Sequence, residues 1–270
     1  MSGSRRVAFV TGAGRGLGRA LCVRLAEDGI DIMGVDIDEQ IASVDYALST
    51  PADLEETARL VRAAGAAMLA RRADVRDSAR LAAVVDEGLD AFGRLDIVCA
   101  NAGISPWTSP VDDPETVWRD VIDVNLTGAW NTVREATPAL VAGGRGGSIV
   151  FTSSVAGLRG LGGGTVAFNA YTASKHGLVG LMRTLARDLG RENIRVNSIH
   201  PGGIDTTMMG AEQVVPFMTA HPHFGETASP ALPDGRLDPR EVAQAVAWLV
   251  SDAASKITGV TLPVDAGVAL

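Results

Sequence analysis

Aromatic side chains make up only 4% of this 270-residue sequence, against 46% hydrophobic residues in all. The core must therefore come from Val, Leu, Ile and Ala, which suits a parallel sheet covered on both faces. Positive charge is in deficit too. A formal net charge of -8 offers no long-range attraction to phosphate backbones or anionic lipid, so nucleic acid and membrane surfaces are not expected partners. No apolar run approaches the roughly 18 residues needed to span a bilayer. The polar start Met1–Arg6 runs straight into Val7–Val10, without the apolar stretch of a signal peptide. Only two cysteines are present. Cys22 falls in an expected helix and Cys99 in an expected strand, which reads as two small buried apolar residues in a reducing compartment. These absences point to a cytoplasmic protein whose ligands are held by local groups.

What is there is an alternation of short apolar runs with segments of helical period, the pattern of repeated βα units. Strands are expected near Val7–Thr11, Ile32–Asp36, Ala67–Ala73, Ile97–Ala100, Ser148–Thr152, Arg195–Ile199 and Val260–Val264. The fold class that follows is α/β: a single-domain Rossmann fold over residues 1–270, a doubly wound, parallel, seven-stranded sheet with helices on both faces. One helix start is spelled out by Thr50, Pro51 and Asp53, and the same device recurs at Asp238, Pro239 and Glu241. Two long helices are expected at about Glu115–Leu140 and Tyr171–Leu189. Two stretches exceed a minimal repeat: an insertion at Ile37–Ser49, and a segment whose core, Thr207–Leu237, reads as a lid rich in Met208, Met209, Phe217, Met218 and Phe224. Trp107 is expected to add to the same apolar wall.

Strand Val7–Thr11 leads into Gly12-Ala13-Gly14-Arg15-Gly16-Leu17-Gly18 and then a helix, the context of a turn that brings backbone against a pyrophosphate at a helix N-terminus. The spacing is TGxxxGxG rather than GxGxxG, and a glycine turn alone is weak evidence. Asp36 at the end of the second strand strengthens it, because a carboxylate there accepts from adenosine ribose hydroxyls and repels a 2′-phosphate. Arg15 pulls the other way, since a guanidinium can pair with that phosphate. The uncompensated carboxylate outweighs it, and NAD is the expected cofactor. Asp74 and Val75 after the third strand suit the adenine, Asn101, Ala102 and Gly103 follow the fourth, and Ile37 begins the segment that can cover the dinucleotide. His200, His221 and His223 are too loosely arranged for a metal site, and none is expected.

TGAGRGLG, NAG at Asn101–Gly103, Asn125 in VNLTG, GSIVFTSS ending at Ser154, YTASK at Tyr171–Lys175 and the run Pro201–Thr206 together resemble the short-chain dehydrogenase/reductase family, with the motifs in order along nearly the whole chain. The resemblance implies a catalytic group of Asn125, Ser154, Tyr171 and Lys175, with Tyr171 and Lys175 also touching the cofactor, and cofactor contacts from Pro201, Gly202, Ile204 and Thr206. It also implies a homotetramer built partly on the helix carrying Gly177 and Gly180. The family usually sets the tyrosine thirteen positions after the serine; here the gap is seventeen, which implies a longer substrate loop through Leu158–Asn169. The chemistry is legible in the residues as well. At i and i+4 at a helix start, Tyr171 and Lys175 share one face. A phenol acting as base near pH 7 needs its pKa brought down by roughly 3, about 4 kcal/mol, which an ammonium and a positive nicotinamide can supply together.

Within the family, the segment Asp36–Gly65, with Ile41 and Ala47–Asp53 of STPADLEET, and the run YTASKHGLVGLMRTLA followed by NSIHPGGIDTTMM together resemble the mycofactocin-associated, carveol-dehydrogenase-like branch. That likeness implies a small apolar alcohol or ketone such as carveol as substrate, NAD that exchanges slowly, and mycofactocin or another electron acceptor as partner. Three classes of function stay open: such a dehydrogenase, an isomerase or dehydratase using bound NAD transiently, and a non-catalytic NAD-sensing module. The intact catalytic set disfavours the third, and the lack of a separate sugar-nucleotide domain disfavours the second.

Overall fold

A run such as Val7-Ala8-Phe9-Val10 hides both faces of a strand only if apolar layers lie above and below it. The computed structural model describes residues 5–37 and 39–270; Met1–Ser4 of the polar start and Asp38 of the insertion lie outside the described residues. Among the described residues seven strands form one sheet: β1 (Val7–Thr11), β2 (Asp31–Asp36), β3 (Met68–Arg72), β4 (Ile97–Ala100), β5 (Gly147–Thr152), β6 (Ile194–Pro201) and β7 (Thr261–Val264). They are parallel throughout, in the order β3-β2-β1-β4-β5-β6-β7. The expected doubly wound sheet is therefore observed, with strand bounds within two residues of the expectation.

Alternation along each strand divides the core. Ala8, Val10, Ile32, Ile97, Val150 and Ile199 meet the buried faces of α1 (Gly16–Glu27), α2 (Pro51–Ala63) and, further along the chain, the helix that closes the lid segment. Val7, Phe9, Val98, Ile149 and Val196 face the opposite layer, built from α3 (Ser78–Phe92), α4 (Pro114–Ile122), α5 (Gly128–Gly143) and α6 (Val166–Asp188). The lid segment folds as α7 (Val214–Ala220) and α8 (Pro222–Thr227) before α9 (Pro239–Val250), the helix on the first face. The chain reverses direction in the sheet between β1 and β4, so a crevice opens at the carboxyl ends of these two strands.

Both expected helix starts form. The Thr50 hydroxyl accepts from Asp53 N while the Asp53 carboxylate accepts from Thr50 N at 2.9 Å, and Asp238 and Glu241 form the same reciprocal pair. Two expectations need correction. The long middle helix is interrupted by a π turn at Asp123–Thr127, which places Asn125 in widened helix between α4 and α5. The other long helix begins at Val166, where the Thr165 hydroxyl accepts from Phe168 N. Tyr171 thus lies in the second turn, not at the helix start, and the loop before it ends sooner than expected. No Gly or Pro follows Gly164 until Gly177, so nothing stops the helix from running back to Thr165.

Candidate active site

The glycine turn is built by exclusion. A Cβ on Gly18 would lie 1.8 Å from the Gly12 carbonyl oxygen, so α1 packs against its own entry loop only with glycine there. Arg19, at a place where GxGxxG needs glycine, braces the turn instead: its guanidinium donates to Gly14 O at 2.6 Å, Thr57 Oγ1 at 3.0 Å and Asp53 O at 2.9 Å. Gly12, Arg15, Gly16 and Leu17 line the mouth of a cavity of about 340 Å³. Asp36 lines it as well and is only 8% exposed. Its two oxygens accept from Gly14 N and Ile37 N, each at 2.8 Å. Burial raises its carboxyl above the usual range, and those two N–H groups and then Arg15 oppose the rise.

Several predicted residues face the cavity with side chains already engaged. The Asp74 carboxylate accepts from the Arg76 guanidinium at 2.6 Å and from Arg76 N at 2.8 Å. Asn101 Nδ2 donates to Thr11 O at 2.9 Å and its Oδ1 accepts from Thr152 Oγ1 at 3.1 Å, so this side chain ties strand ends together. Val75 and Ala102 supply apolar wall. Gly103 leaves little room on the side of the expected catalytic group: a Cβ there would lie 3.3 Å from Asn125 Oδ1 and 3.4 Å from Lys175 Nζ. Pro201, Gly202, Ile204 and Thr206 close the opposite side.

The four residues of the expected catalytic group converge beside that glycine. Asn125 is fully buried, and its amide forms a reciprocal pair with Ile104, accepting from Ile104 N and donating to Ile104 O, both at 2.8 Å. Its side chain thus holds backbone rather than the lysine. Lys175 Nζ donates to Thr152 O at 2.9 Å and stands 5.4 Å from the Tyr171 ring centre. Burial brings the ammonium down to about 8. Burial also raises the Tyr171 phenol, opposed by a hydrogen bond with the Ser154 hydroxyl. Against that rise, the expected depression of the phenol needs the nicotinamide's positive charge together with the ammonium. In place of the pairing, the ammonium is turned to a carbonyl of β5.

The far end of the cavity is a box of rings. Trp107 meets Phe217 edge-on at 5.2 Å and Phe224 at 6.0 Å between ring centres, and its Nε1 donates to Met208 O at 2.7 Å. Phe168, one turn before Tyr171, lies 4.7 Å from Phe224 and 5.8 Å from Tyr171. Sequence reading missed Phe168, Leu161 and Val268, which also line this end. It also missed Tyr46, although this is one of only two tyrosines. Tyr46 is buried, stands 5.9 Å from the Arg15 guanidinium, and accepts from Ser105 N at 3.1 Å. Asp45 beside it accepts from Trp107 N at 3.2 Å and Thr108 N at 2.6 Å. The insertion thus folds onto the protein, and it reaches the β4–α4 loop rather than covering the adenosine end alone.

Among the described residues there is no cluster of side chains able to hold a metal ion, and no helix is long and apolar enough to cross a membrane. Cys22 and Cys99 are free and buried, and burial raises both thiols. His200 is buried between Ser154 O and Ser198 Oγ, each 2.8 Å from a ring nitrogen.

A family model described as enoyl-(acyl carrier protein) reductase matches residues 12–269. An uncharacterized oxidoreductase of Mycobacterium tuberculosis is 54% identical over 263 residues, 97% of this chain and 95% of that protein. The (-)-trans-carveol dehydrogenase of Rhodococcus erythropolis is 42% identical over 275 residues, 98% of each. A crystal structure of a short chain dehydrogenase from Mycobacterium paratuberculosis bound to NAD is similar with a TM-score of 0.91 at 45% identity, over 98% of this chain and 97% of that one. The chain belongs to the short-chain dehydrogenase/reductase family.

The histidine gives the site a pH signature. Burial lowers His200 from 6.5 to about 4; the charges of Lys175, His176 and Arg183 add to this, and the bond to Ser154 opposes it. A base held neutral in the fold is protonated first in the unfolded chain. Its contribution to stability is whole above about pH 6.5 and fades as the pH falls toward about 4, by on the order of 3 kcal/mol. Asp36, raised by burial, works in the opposite sense in the acid range, and Lys175 titrates above this window. Denaturant midpoints measured from pH 7 to pH 4 should therefore decline less in His200→Gln than in wild type. Parallel declines would remove the histidine from the account.

Proposed function

We propose that this chain is an NAD-dependent oxidoreductase that transfers a hydride between the nicotinamide and a small apolar secondary alcohol or ketone. The observation that carries the reading is a single cavity joining Asp36 and the glycine turn to Ser154, Tyr171 and Lys175. The residues fit the cofactor. Asp36 keeps lone pairs for ribose hydroxyls beyond the two it gives to Gly14 and Ile37, and it disfavours a 2′-phosphate. The start of α1 has no side-chain cap, so its first N–H groups are open to a pyrophosphate. Bound there, NAD supplies the hydride acceptor and a positive ring beside the phenol.

The chain's own groups do the rest. Ser154 holds the substrate oxygen next to Tyr171, and Tyr171 Oη takes the hydroxyl proton. Lys175, with a pKa of about 8, is cationic at neutral pH, donates to Thr152 O, and would help hold the nicotinamide ribose. Asn125 positions it indirectly, by fixing Ile104 next to Gly103. Tyr171→Phe removes one hydroxyl and leaves the ring contacts with Phe168, so NAD binding should survive while kcat/KM falls at least a hundredfold. A variant keeping more than about a tenth of wild-type kcat/KM, a loss under roughly 1.4 kcal/mol, would show that Tyr171 is not the base.

The substrate is proposed to be an uncharged, terpenoid-sized alcohol such as carveol. At the end of the cavity walled by Trp107, Phe168, Phe224 and the methionines, none of the described lining residues is charged, and adaptable Met side chains suit an irregular apolar ring. The name of the Rhodococcus erythropolis relative agrees. Slow exchange of NAD, with mycofactocin or another acceptor reoxidising it in place, is supported by the insertion: Ile41, Val44 and Tyr46 are buried and Asp45 grips the far loop. Asp45→Ala/Tyr46→Ala should raise the NAD dissociation rate at least tenfold in stopped flow. An unchanged off-rate would leave the insertion without a role in retention.

A homotetramer is proposed on three exposed tryptophans, Trp118 on α4, Trp130 on α5 and Trp248 on α9, each more than 40% exposed; a cytoplasmic location is proposed on the two free, buried cysteines. On α6, Leu178 and Met182 are buried within the chain, and the outward stripe includes Ala173, His176, Gly180 and Thr184. A light-scattering mass of one chain at micromolar concentration would reject the assembly.

A further inference from the structure

Three consecutive residues leave the end of β5, and each is anchored from outside its own segment. Thr152 O accepts from Lys175 Nζ at 2.9 Å. Ser153 donates its backbone N–H to Ile199 O at 2.9 Å and its hydroxyl to Lys175 O at 3.0 Å. Ser154, the residue whose hydroxyl meets the Tyr171 phenol, is held differently. Its carbonyl oxygen accepts from Gly157 N at 2.8 Å, a bond inside its own turn, and from the His200 ring at 2.8 Å. Among the described residues, His200 is the one group outside the turn that bonds the backbone of Ser154.

We infer that His200 is a positioning residue for the reaction: by donating Nδ1–H to the Ser154 carbonyl it fixes the peptide plane that aims the Ser154 hydroxyl at Tyr171. The inference rests on the role proposed above for Ser154. The direction of each bond follows from its partners. A carbonyl oxygen only accepts, so Nδ1 carries the proton. The neutral ring then has a bare Nε2, which accepts from the Ser198 hydroxyl at 2.8 Å. Ser198 and His200 are both fully buried, so no water competes for either bond and the tautomer is set by the network. A carbonyl with both lone pairs occupied cannot turn without breaking one of them. Ser154 sits in extended backbone with φ at -169, outside any regular ladder, so this restraint is what the sheet contributes to its orientation. Displacing a catalytic group by about 1 Å can lower a rate on the order of a hundredfold.

Two readouts separate positioning from mere stability, using NAD-loaded protein with (-)-trans-carveol and a redox dye as probe. His200→Leu should lower kcat ten- to a hundredfold with KM and bound NAD little changed. His200→Gln, whose amide can donate to the same carbonyl, should recover most of the loss. In a Ser154→Ala background the same His200 changes should alter kcat less than about threefold, because the group they position is gone. Isotope-labelled tyrosine spectra resolve the two tyrosines without any substrate: the Tyr171 titration should move in the same direction in His200→Leu as in Ser154→Ala, and no further in the double variant. If the His200 changes cost the same factor with and without Ser154, or leave the Tyr171 titration in place, the inference is overturned. If Ser154→Ala itself keeps wild-type kcat, the proposed role of Ser154 fails instead. Should His200→Leu not fold, His200→Asn, whose shorter amide does not reach the Ser154 carbonyl, carries the same cycle.

Discussion

A line of partly buried polar contacts crosses the sheet from the glycine turn to Lys175, and the site depends on it. Thr11 Oγ1 accepts from Asn101 N at 3.1 Å and Ala102 N at 3.2 Å, the Asn101 amide links Thr11 O to Thr152 Oγ1, and Thr152 O accepts from Lys175 Nζ. The strand order makes this line short, because β1, β4 and β5 are neighbours. Each bond adds only about 1 kcal/mol net, but a buried group left without its partner costs about 1–3 kcal/mol. The line therefore sets the distance between the phosphate-binding turn and Lys175 more firmly than its summed strength implies. The Asn101 side chain fastens strand ends together, and the Asn125 amide fastens the backbone of Ile104.

The second constraint is the burial of the ionisable groups that line the site. Burial raises Asp36 and the Tyr171 phenol and lowers Lys175 and His200, so each of these groups is pushed toward its neutral form. Different local bonds then decide which charges survive. At Asp36 two backbone N–H groups favour the charged form against burial. Lys175 keeps its charge at neutral pH because about 8 still lies above it. His200 stays neutral, which lets one ring nitrogen donate and the other accept. Tyr171 has only the Ser154 hydroxyl against burial, so a positive charge bound beside the phenol would favour loss of its proton. Fixed dipoles and a low dielectric make such an arrangement responsive to a bound cation in a way that a solvated tyrosine is not.

Much of this was legible from residues alone, for identifiable reasons. Strand positions follow from β-rich apolar runs, and the starts of α2 and α9 follow from capping chemistry, both of which are local in sequence. The residues around the cavity were found because turn chemistry and spacing mark them: glycines after β1, an acid at the end of β2, Tyr171 and Lys175 one turn apart. What escaped is what depends on where loops land. The bond from Ser105 N to Tyr46 joins residues 59 apart, and the one from Thr108 N to Asp45 joins residues 63 apart. Nothing in the local pattern of either segment announces the other. The start of α6 was missed for a simpler reason: the Tyr–Lys pair drew the boundary to itself, although Thr165 and the glycines before it are the real stop.

The insertion after β2 shows how a local addition can couple two ends of a site. It leaves the sheet at Asp36, beside the glycine turn, buries Ile41, Val44 and Tyr46 in the core, and ends at Ser49 against Gly14, where a Cβ would lie 2.1 Å from the Ser49 hydroxyl oxygen. Between those two anchors, Asp45 and Tyr46 hold the backbone N–H groups of Ser105, Trp107 and Thr108. Those three residues form the stretch that leads from Gly103 to the aromatic wall. A motion that frees the nucleotide by lifting this segment must therefore also release Trp107, and with it the packing of Phe217 and Phe224. The three hydrogen bonds alone, at about 1 kcal/mol each, make such an opening rarer by roughly a hundredfold, before any buried side chain is moved. The apolar pocket and the cofactor cleft are thus closed by one element, so that a change in either is felt by the other through the same few bonds.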